Sequence, residues 1–457
     1  MSAHSGSTSG NMSRRSFVKG ATLGAAALSL ASGARGTRAL GANDRLNIGV
    51  IGVGGRGSGL CGGLIRRSEK PEENLQVIGV CDVWDKRVRD AVDRSKGTAT
   101  GFRDYRELLR MPDLDAVVIA TPDHWHSKMS IAAMRAGKDV YCEKPVTLYW
   151  HQAKHVAQVA EKRGAVFQCG AQSSSEGRWW TAQDIIMEGG IGPLVWTQGG
   201  YFRNRPTGDW NYTIRDADPN KDLDWDMWLG WKWDLAPKCA YDPERYFRFR
   251  KYWDYSGGLA TDLIYHIWSH LMIAIGPQFP FSVTGSGANP VHTLENDNRE
   301  VPTIFHIIAT FPTQHTAHVM ATQENKTGPP DLIRGQKATL EPGGELVIRP
   351  EEPFRDEMME LARGLDCYKD ANLVTEKKGD KEVLQEIQVP NKYNWGDHVG
   401  NWLRCIRTRE QPTLNARRAY QAMIPIALSV VSYRKGRVVF FDPKKERVVD
   451  SMPALEA

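Results

Sequence analysis

An α/β domain built on a parallel sheet, followed by an α+β domain built on a mostly antiparallel sheet, is the fold this sequence predicts, and three observations predict it. From Leu46 onward short apolar runs alternate with helical-period segments, the mark of consecutive βαβ units. A glycine-rich hexamer, Gly52-Val53-Gly54-Gly55-Arg56-Gly57, directly follows the first run and opens the first helical segment. Beyond about residue 170 the rhythm changes to strand-like runs with longer spacing and no helices between them.

The strand candidates of the first domain are Leu46–Ile51, Leu75–Cys81, Ala116–Ala120, Asp139–Cys142 and Val166–Cys169. Helical periodicity fills the gaps at Leu60–Arg67, Asp85–Arg94, Ser127–Ala136 and Ala153–Arg163. Trp-rich irregular sequence then runs to Trp253, followed by Gly257-Gly258 and an apolar helix from Leu259 to Ile275. Strands are expected at Ser282–Ala288, Thr303–Phe311 and Thr316–Thr322, helices at Asp397–Thr408 and Ala416–Arg434, and a terminal strand at Val438–Phe441. The domain reading is a leader over residues 1–41, a first domain over 42–170 and a second over 171–457, whose C-terminal helices are free to pack back on the first.

The leader rests on order and charge. Arg14-Arg15-Ser16-Phe17-Val18-Lys19 precedes an uncharged Ala/Leu/Gly stretch, too short to span a bilayer, and resembles a twin-arginine export signal. Export to a periplasmic or extracytoplasmic space is the expectation, with cleavage near Gly41 or Gly33 and no stable membrane insertion afterwards. The 457-residue chain has 59 Lys+Arg against 54 Asp+Glu, a net charge of +5. Arg14, Arg15, Lys19, Arg35 and Arg38 account for that whole surplus, so the remainder is balanced and shows no basic stripe for nucleic acid. The seven cysteines include no close pair, which excludes a zinc knuckle and a redox CxxC.

The hexamer fits G-x-G-x-x-G in the context that gives it meaning. Gly52 makes the tight turn, Gly54 lets backbone approach a pyrophosphate, and Gly57 lets the helix pack on the strand. The helix N-terminus, with Arg56 in its first turn, then offers N–H groups and a positive dipole end to the phosphates. Asp82, at the end of the second run, is placed to accept the adenosine ribose hydroxyls. A carboxylate there repels a 2′-phosphate, so NAD is favoured, while Lys86 and Arg87 leave NADP open.

Two further features carry chemistry. Glu143-Lys144-Pro145 follows the strand Val140-Tyr141-Cys142, so Lys144 stands at a C-terminal strand end, where ligands bind in open α/β sheets. Asp262 and His266, four residues apart after Gly257-Gly258, share one helix face, and His270 extends the row. These pieces, together with Thr121-Pro122-Asp123-His124-Trp125-His126, resemble in order and spacing the Gfo/Idh/MocA oxidoreductase family, over nearly everything after residue 44. The resemblance implies a Rossmann domain plus a domain with an open-faced, mostly antiparallel sheet. It further implies NAD(P), a sugar, polyol or glycoside hydroxyl as substrate, and a homodimer or homotetramer.

By the same resemblance Lys144 orients or deprotonates the reacting hydroxyl. His266 is the general base or its relay, and Asp262 fixes the tautomer of His266 or binds a neighbouring hydroxyl. Glu143 positions Lys144 and the nicotinamide ribose, while Thr121, Pro122 and His126 join the cofactor side. Pro145 is a candidate cis bond. Gln172, Arg178, Tyr201 and Arg203 are candidate substrate contacts. Asp262, His266 and His270 also have metal-ligand spacing, but the resemblance explains the first two without a metal, and none is expected. Ten of the fifteen Trp lie between Trp179 and Trp268; some suit stacking on sugar rings, most suit a core. Two other readings compete with the oxidoreductase. One is an NAD-dependent, redox-assisted glycosidase without net cofactor turnover, whose relatives lack the Asp…His pair. The other is a non-catalytic sugar-binding sensor, against which Lys144, Asp262 and His266 argue.

Overall fold

The computed structural model describes residues 44–291 and 297–453. The export segment expected over residues 1–41 lies outside them. Six strands form the first sheet: β1 (Leu46–Ile51), β2 (Leu75–Cys81), β3 (Thr100–Phe102), β4 (Ala116–Ile119), β5 (Asp139–Glu143) and β6 (Phe167–Gly170). Their order is β3-β2-β1-β4-β5-β6 and every pair is parallel. Strands buried on both faces read as continuous apolar runs, which is why five of the six were legible. The sixth, β3, is Thr-Gly-Phe and carries no such run. Strand order reverses between β1 and β4, so a crevice opens where the chain leaves Ile51 and Ile119.

The helix expected from Ser127 begins four residues earlier, at Asp123, with Pro122 extended at its N-cap. Asp123, His124, Trp125 and His126 are all buried there, so no amphipathic pattern announces that turn.

Eleven strands form the second sheet: β7 (Leu194–Phe202), β8 (Ser282–Ala288), β9 (Ile304–Thr310), β10 (Thr316–Thr322), β11 (Leu332–Gly335), β12 (Ala338–Pro342), β13 (Leu346–Pro350), β14 (Asn372–Lys378), β15 (Lys381–Val389), β16 (Val439–Asp442) and β17 (Arg447–Val449). The order is β14-β15-β13-β12-β11-β7-β10-β9-β8-β16-β17, antiparallel throughout except for the β7/β10 pair. One face is packed and the other open. In β9, Phe305, Ile307 and Ala309 point inward, while Ile308 on the opposite face is 42% exposed. Helices Tyr265–Ala274 and Ala416–Lys435 cover the packed face. Helix His398–Thr408 instead sends Trp402, Leu403, Cys405 and Ile406 into the core beneath β1 and β2.

The Trp-rich stretch is a core of its own. Leu223, Trp225, Trp228, Tyr246 and Tyr255 cluster with Trp84, just past the end of β2, and the Trp225 and Trp228 rings stack at 4.7 Å. Backbone bonds from Asp85 N to Asp222 O and from Asp224 N to Val83 O tie this segment to the end of β2.

Two buried imidazoles are held neutral. His124 lies with Nε2 3.0 Å from the Trp228 carbonyl, and burial pushes its pKa down to about 4. His398 faces the Cys169 carbonyl through Nε2 and the Ser175 hydroxyl through Nδ1, and burial likewise takes it down to about 4. A folded-state pKa below the unfolded value makes this stability complete above about pH 6.5 and lost progressively as pH falls toward 4. The melting temperature is therefore expected to fall steeply over that window, each imidazole costing about 3 kcal/mol at its lower end. A melting temperature flat from about pH 7 to 4.5, followed by calorimetry, would contradict this.

Candidate functional site

The glycine loop is built by exclusion of side chains. Gly52 has φ +83°, and a Cβ there would fall 2.7 Å from the Ala120 carbonyl oxygen. A Cβ on Gly57 would fall 1.8 Å from the Gly52 carbonyl oxygen, so only glycine lets the helix Gly55–Ser68 lie this close to β1. Gly54 is the N-cap, and no side chain caps the helix. Its first N–H groups face a cleft of about 950 Å³ that the loop borders. Thr121 lines the same cleft, and its buried hydroxyl has no partner among the described residues. Open amides, a missing cap and an orphan hydroxyl at one crevice fit a pyrophosphate-bearing cofactor.

Asp82 closes the other end of the loop. Its Oδ2 accepts from Val53 N at 2.9 Å and its Oδ1 from Trp84 N at 3.1 Å. The Arg87 guanidinium stands 3.8 Å from Asp82 and over the rings of Trp84 and Tyr246, at 5.3 and 5.2 Å. Lys86 pairs with Asp90 on the surface, so Arg87 is the member of that basic pair that reaches the cleft.

Lys144 is the hub of the inner end. The Lys144–Pro145 peptide is cis, and the Lys144 ammonium donates to Asp262 twice, to the carbonyl at 2.5 Å and to Oδ1 at 2.6 Å. Arg250 Nε donates to the same Oδ1 at 2.9 Å, and Trp210 Nε1 to Oδ2 at 3.0 Å. Burial works against the charge on Asp262, but Lys144 and Arg250 overcome it and hold the carboxyl far below the usual range. Trp210 sits at φ +69°, a left-handed conformation that costs a non-glycine residue about 1–2 kcal/mol. The helix expected over Leu259–Ile275 is split: Ala260–Ile264 is a π-turn and Tyr265–Ala274 is α-helical. A widened turn of this kind re-aims a side chain within an otherwise regular helix; Asp262 lies in the π-turn and His266 just beyond it, and both line the cleft. Burial and the Lys144 charge push the His266 pKa down to about 3, so its imidazole is neutral.

Glu143 is buried and accepts from Arg56 Nε at 2.7 Å, linking the glycine loop to the Lys144 strand end. Asp123 is buried beside this centre and accepts from the Thr261 hydroxyl at 3.1 Å; burial raises its carboxyl pKa.

Most of the expected site residues meet in this cleft: Gly52, Gly54, Arg56, Asp82, Thr121, Pro122, Glu143, Lys144, Gln172, Arg203, Asp262 and His266. Gly57 lies behind the loop, as its packing role requires. His126 does not reach the cleft. Its Nδ1 is 2.6 Å from the Pro145 carbonyl and its Nε2 2.9 Å from the Thr121 carbonyl, so it ties two wall loops together from behind. Arg178 is a correction: it pairs with Glu176 and donates to the Pro342 carbonyl, away from the cleft. Tyr201 supports rather than lines: its hydroxyl accepts from Arg203 Nη2 at 3.0 Å and its ring is 6.4 Å from His266. His270 turns from the row to stack on Trp179 at 3.9 Å, with Nδ1 on Ser173 Oγ and Nε2 beside Asp331. Of the ten Trp between Trp179 and Trp268, Trp228 is the one that lines the cleft; Trp179, Trp210, Trp225 and Trp268 are buried in the cores, whereas Trp196 on β7 lies outside them with Arg334 over its ring at 3.9 Å. Arg250, Asp123 and Trp210 carried no sequence assignment. Asp123 sat inside a quoted motif, and Arg250 in the basic-aromatic run Arg245–Lys251.

Residues 46–171 match the family model GFO_IDH_MocA, an oxidoreductase family with an NAD-binding Rossmann fold. This segment is thus a Gfo/Idh/MocA-type NAD-binding Rossmann domain. An inositol 2-dehydrogenase/D-chiro-inositol 3-dehydrogenase of Lactiplantibacillus plantarum is 30% identical over 161 residues, 35% of this chain and 45% of that protein. A levoglucosan dehydrogenase of Pseudarthrobacter phenanthrenivorans is 29% identical over 184 residues, 40% of this chain and 45% of that protein. The chain thus spans about half the length of the curated relatives it matches. A solved levoglucosan dehydrogenase, in complex with NADH and L-sorbose, covers 88% of this chain and 100% of its own at TM-score 0.59 and 17% identity, so the two-sheet fold is shared.

Asp262 is the counter-charge of two partly buried cations, and its loss strands both. Asp262→Asn is expected to lower stability by about 3–5 kcal/mol. Lys144→Met leaves Asp262 paired with Arg250 and is expected to cost less. Urea denaturation of the two variants checks the order, and equal losses would deny Asp262 this role.

Proposed function

We propose that this chain is an NAD-dependent oxidoreductase that moves a hydride between the nicotinamide and a secondary hydroxyl of a sugar, polyol or glycoside. The observation that carries the proposal is Lys144, Asp262 and His266 converging at the inner end of the cleft that the glycine loop opens. The relatives matched by the first domain, which act on inositol and levoglucosan as their names state, support the substrate class.

The nicotinamide, when bound, supplies the hydride acceptor. The Lys144 ammonium has spent two of its hydrogens on Asp262 and keeps the third for the reacting oxygen. Asp262 and Arg250 hold that ammonium in place, so it orients the hydroxyl and stabilises charge growing on oxygen as the carbonyl forms. His266, neutral and with no ring hydrogen bond among the described residues, accepts the hydroxyl proton. Arg56 and Glu143 keep the glycine loop in register with Lys144. Glu143 would also hold the nicotinamide ribose.

Export through the twin-arginine route belongs to the same proposal, since that route carries folded proteins with cofactor already loaded. The open face of the second sheet, with exposed Ile308 and Val195, supports a homodimer or homotetramer.

The deciding experiment follows NADH and released aglycone together on a panel of sugars, polyols and aryl glycosides. NADH without aglycone is the expected result; aglycone without NADH would make the enzyme a redox-assisted glycosidase. Lys144→Met should lower kcat/KM about a thousandfold while bound nicotinamide, read by absorbance and mass, is retained. Full activity in that variant would place the chemistry elsewhere. Because the His266 pKa is pushed down to about 3, its proton-accepting form is lost only as pH falls toward that value. The kcat/KM profile should then lack an acid limb near the ordinary imidazole value of about 6.5. A midpoint there would show His266 titrating as an exposed imidazole.

A further inference from the structure

Around Lys144 the cleft is walled by four cations (Arg56, Lys144, Arg203 and Arg250) and three carboxyl groups, Asp123, Glu143 and Asp262. Pairing does not cancel them. Glu143 is taken by Arg56, Lys144 and Arg250 share Asp262, and Asp123 serves the Thr261 hydroxyl. Arg203 is only partly engaged. Its Nη2 donates to the Tyr201 hydroxyl, and its Nη1 stands 3.7 Å from Asp209 Oδ2, a buried oxygen with no hydrogen-bond partner among the described residues, while Arg205 holds Asp209 Oδ1 at 2.9 Å. The Arg203 guanidinium lies over the Tyr201 ring at 4.7 Å, a ring that in turn stands 6.4 Å from that of His266. Arg250 spends Nε on Asp262, and its two terminal nitrogens have no partner among the described residues. Arg215 stands exposed on the rim, likewise without a side-chain partner among the described residues.

A pocket for a neutral polyol has no need of two half-satisfied guanidinium forks close to the reacting hydroxyl, and desolvating them on a neutral ligand is costly. An anionic oxygen pair satisfies both. Resting on the dehydrogenase reading above, we propose that the substrate is a hydroxylated sugar or polyol bearing an anionic group, a carboxylate or a phosphate ester. Arg203 and the free end of Arg250 receive that group while Lys144 and His266 address the neighbouring carbinol. Arg203 is thus a specificity-determining residue, held in position by Tyr201 and Asp209.

The test uses the protein with its bound nicotinamide. Initial rates of NADH formation are compared for glucose and myo-inositol, for glucuronate, galacturonate and gluconate, and for glucose 6-phosphate. The anionic compounds are expected to exceed their neutral counterparts at least about tenfold in kcat/KM, and whether the acids or the phosphate lead identifies the group. Arg203→Gln should lower the anionic-to-neutral ratio by at least about tenfold, chiefly through KM, and Arg203→Lys should recover part of it. Neutral compounds turned over as well as the acids and the phosphate, or a ratio unchanged in Arg203→Gln, would overturn the proposal. Arg203→Gln releasing the nicotinamide would also overturn it, by assigning the guanidinium to the cofactor. Tryptophan-fluorescence titration with glucuronate and glucose 6-phosphate separates this idea from the reading beneath it. Saturable binding that Arg203→Gln removes, without NADH from any compound, would leave the anion site standing and sink the dehydrogenase. NADH formed from neutral compounds alone would do the reverse.

Discussion

The Lys144–Asp262 ion pair is the constraint around which the cleft is arranged. It joins the carboxyl end of a parallel strand to the π-turn of a helix that lies on the other sheet, across 118 residues of sequence. Two charges withdrawn from water repay their desolvation only when the remaining valences are filled. The structure fills them with the Asp262 carbonyl on Lys144, and with Arg250 and the Trp210 indole on Asp262. The left-handed backbone at Trp210 is strain spent to complete that set. His266 is kept neutral chiefly by burial, with the Lys144 charge reinforcing it and Asp262 opposing it.

A second layer of the design is aromatic. The Trp-rich segment does not present its rings to the cleft as a row; it packs them into a small core clamped onto Trp84 at the end of β2. That clamp covers the Asp82 end of the cleft and sets Arg87 over two rings beside Asp82. Rigidity at one end of the cleft and charge at the other come from the same stretch of chain.

Legibility in the sequence followed the range of the interaction. The glycine loop, Asp82 and Lys144 stood out because each is defined by neighbours a few residues away and by a strand buried on both faces. Asp262 and His266 were found by their spacing, although the π-turn that aims Asp262 has no signature in composition. Arg250 and Trp210 were invisible, since their role exists only once Asp262 is in place, 12 and 52 residues away. His126 misled for the opposite reason: it belongs to a motif beside the cleft but spends both ring nitrogens on carbonyl groups behind it. In the second sheet β8, β9 and β10 alternate cleanly, whereas β7 and β11–β15 are half-buried or interrupted by Gly and Pro, and their pairing is set by tertiary contacts.

The parallel β7/β10 pair has a consequence for how such a protein can change. A chain leaving β7 cannot turn back into its neighbour and must travel before it re-enters the sheet three positions away, at β8. That excursion, between Phe202 and Ser282, holds Arg203, Trp210, Arg250, Asp262 and His266. Strand register is therefore insulated from the length and composition of the segment that meets the ligand. Descendants can lengthen, shorten or recharge it to suit new compounds while the sheet beneath keeps the same hydrogen bonds.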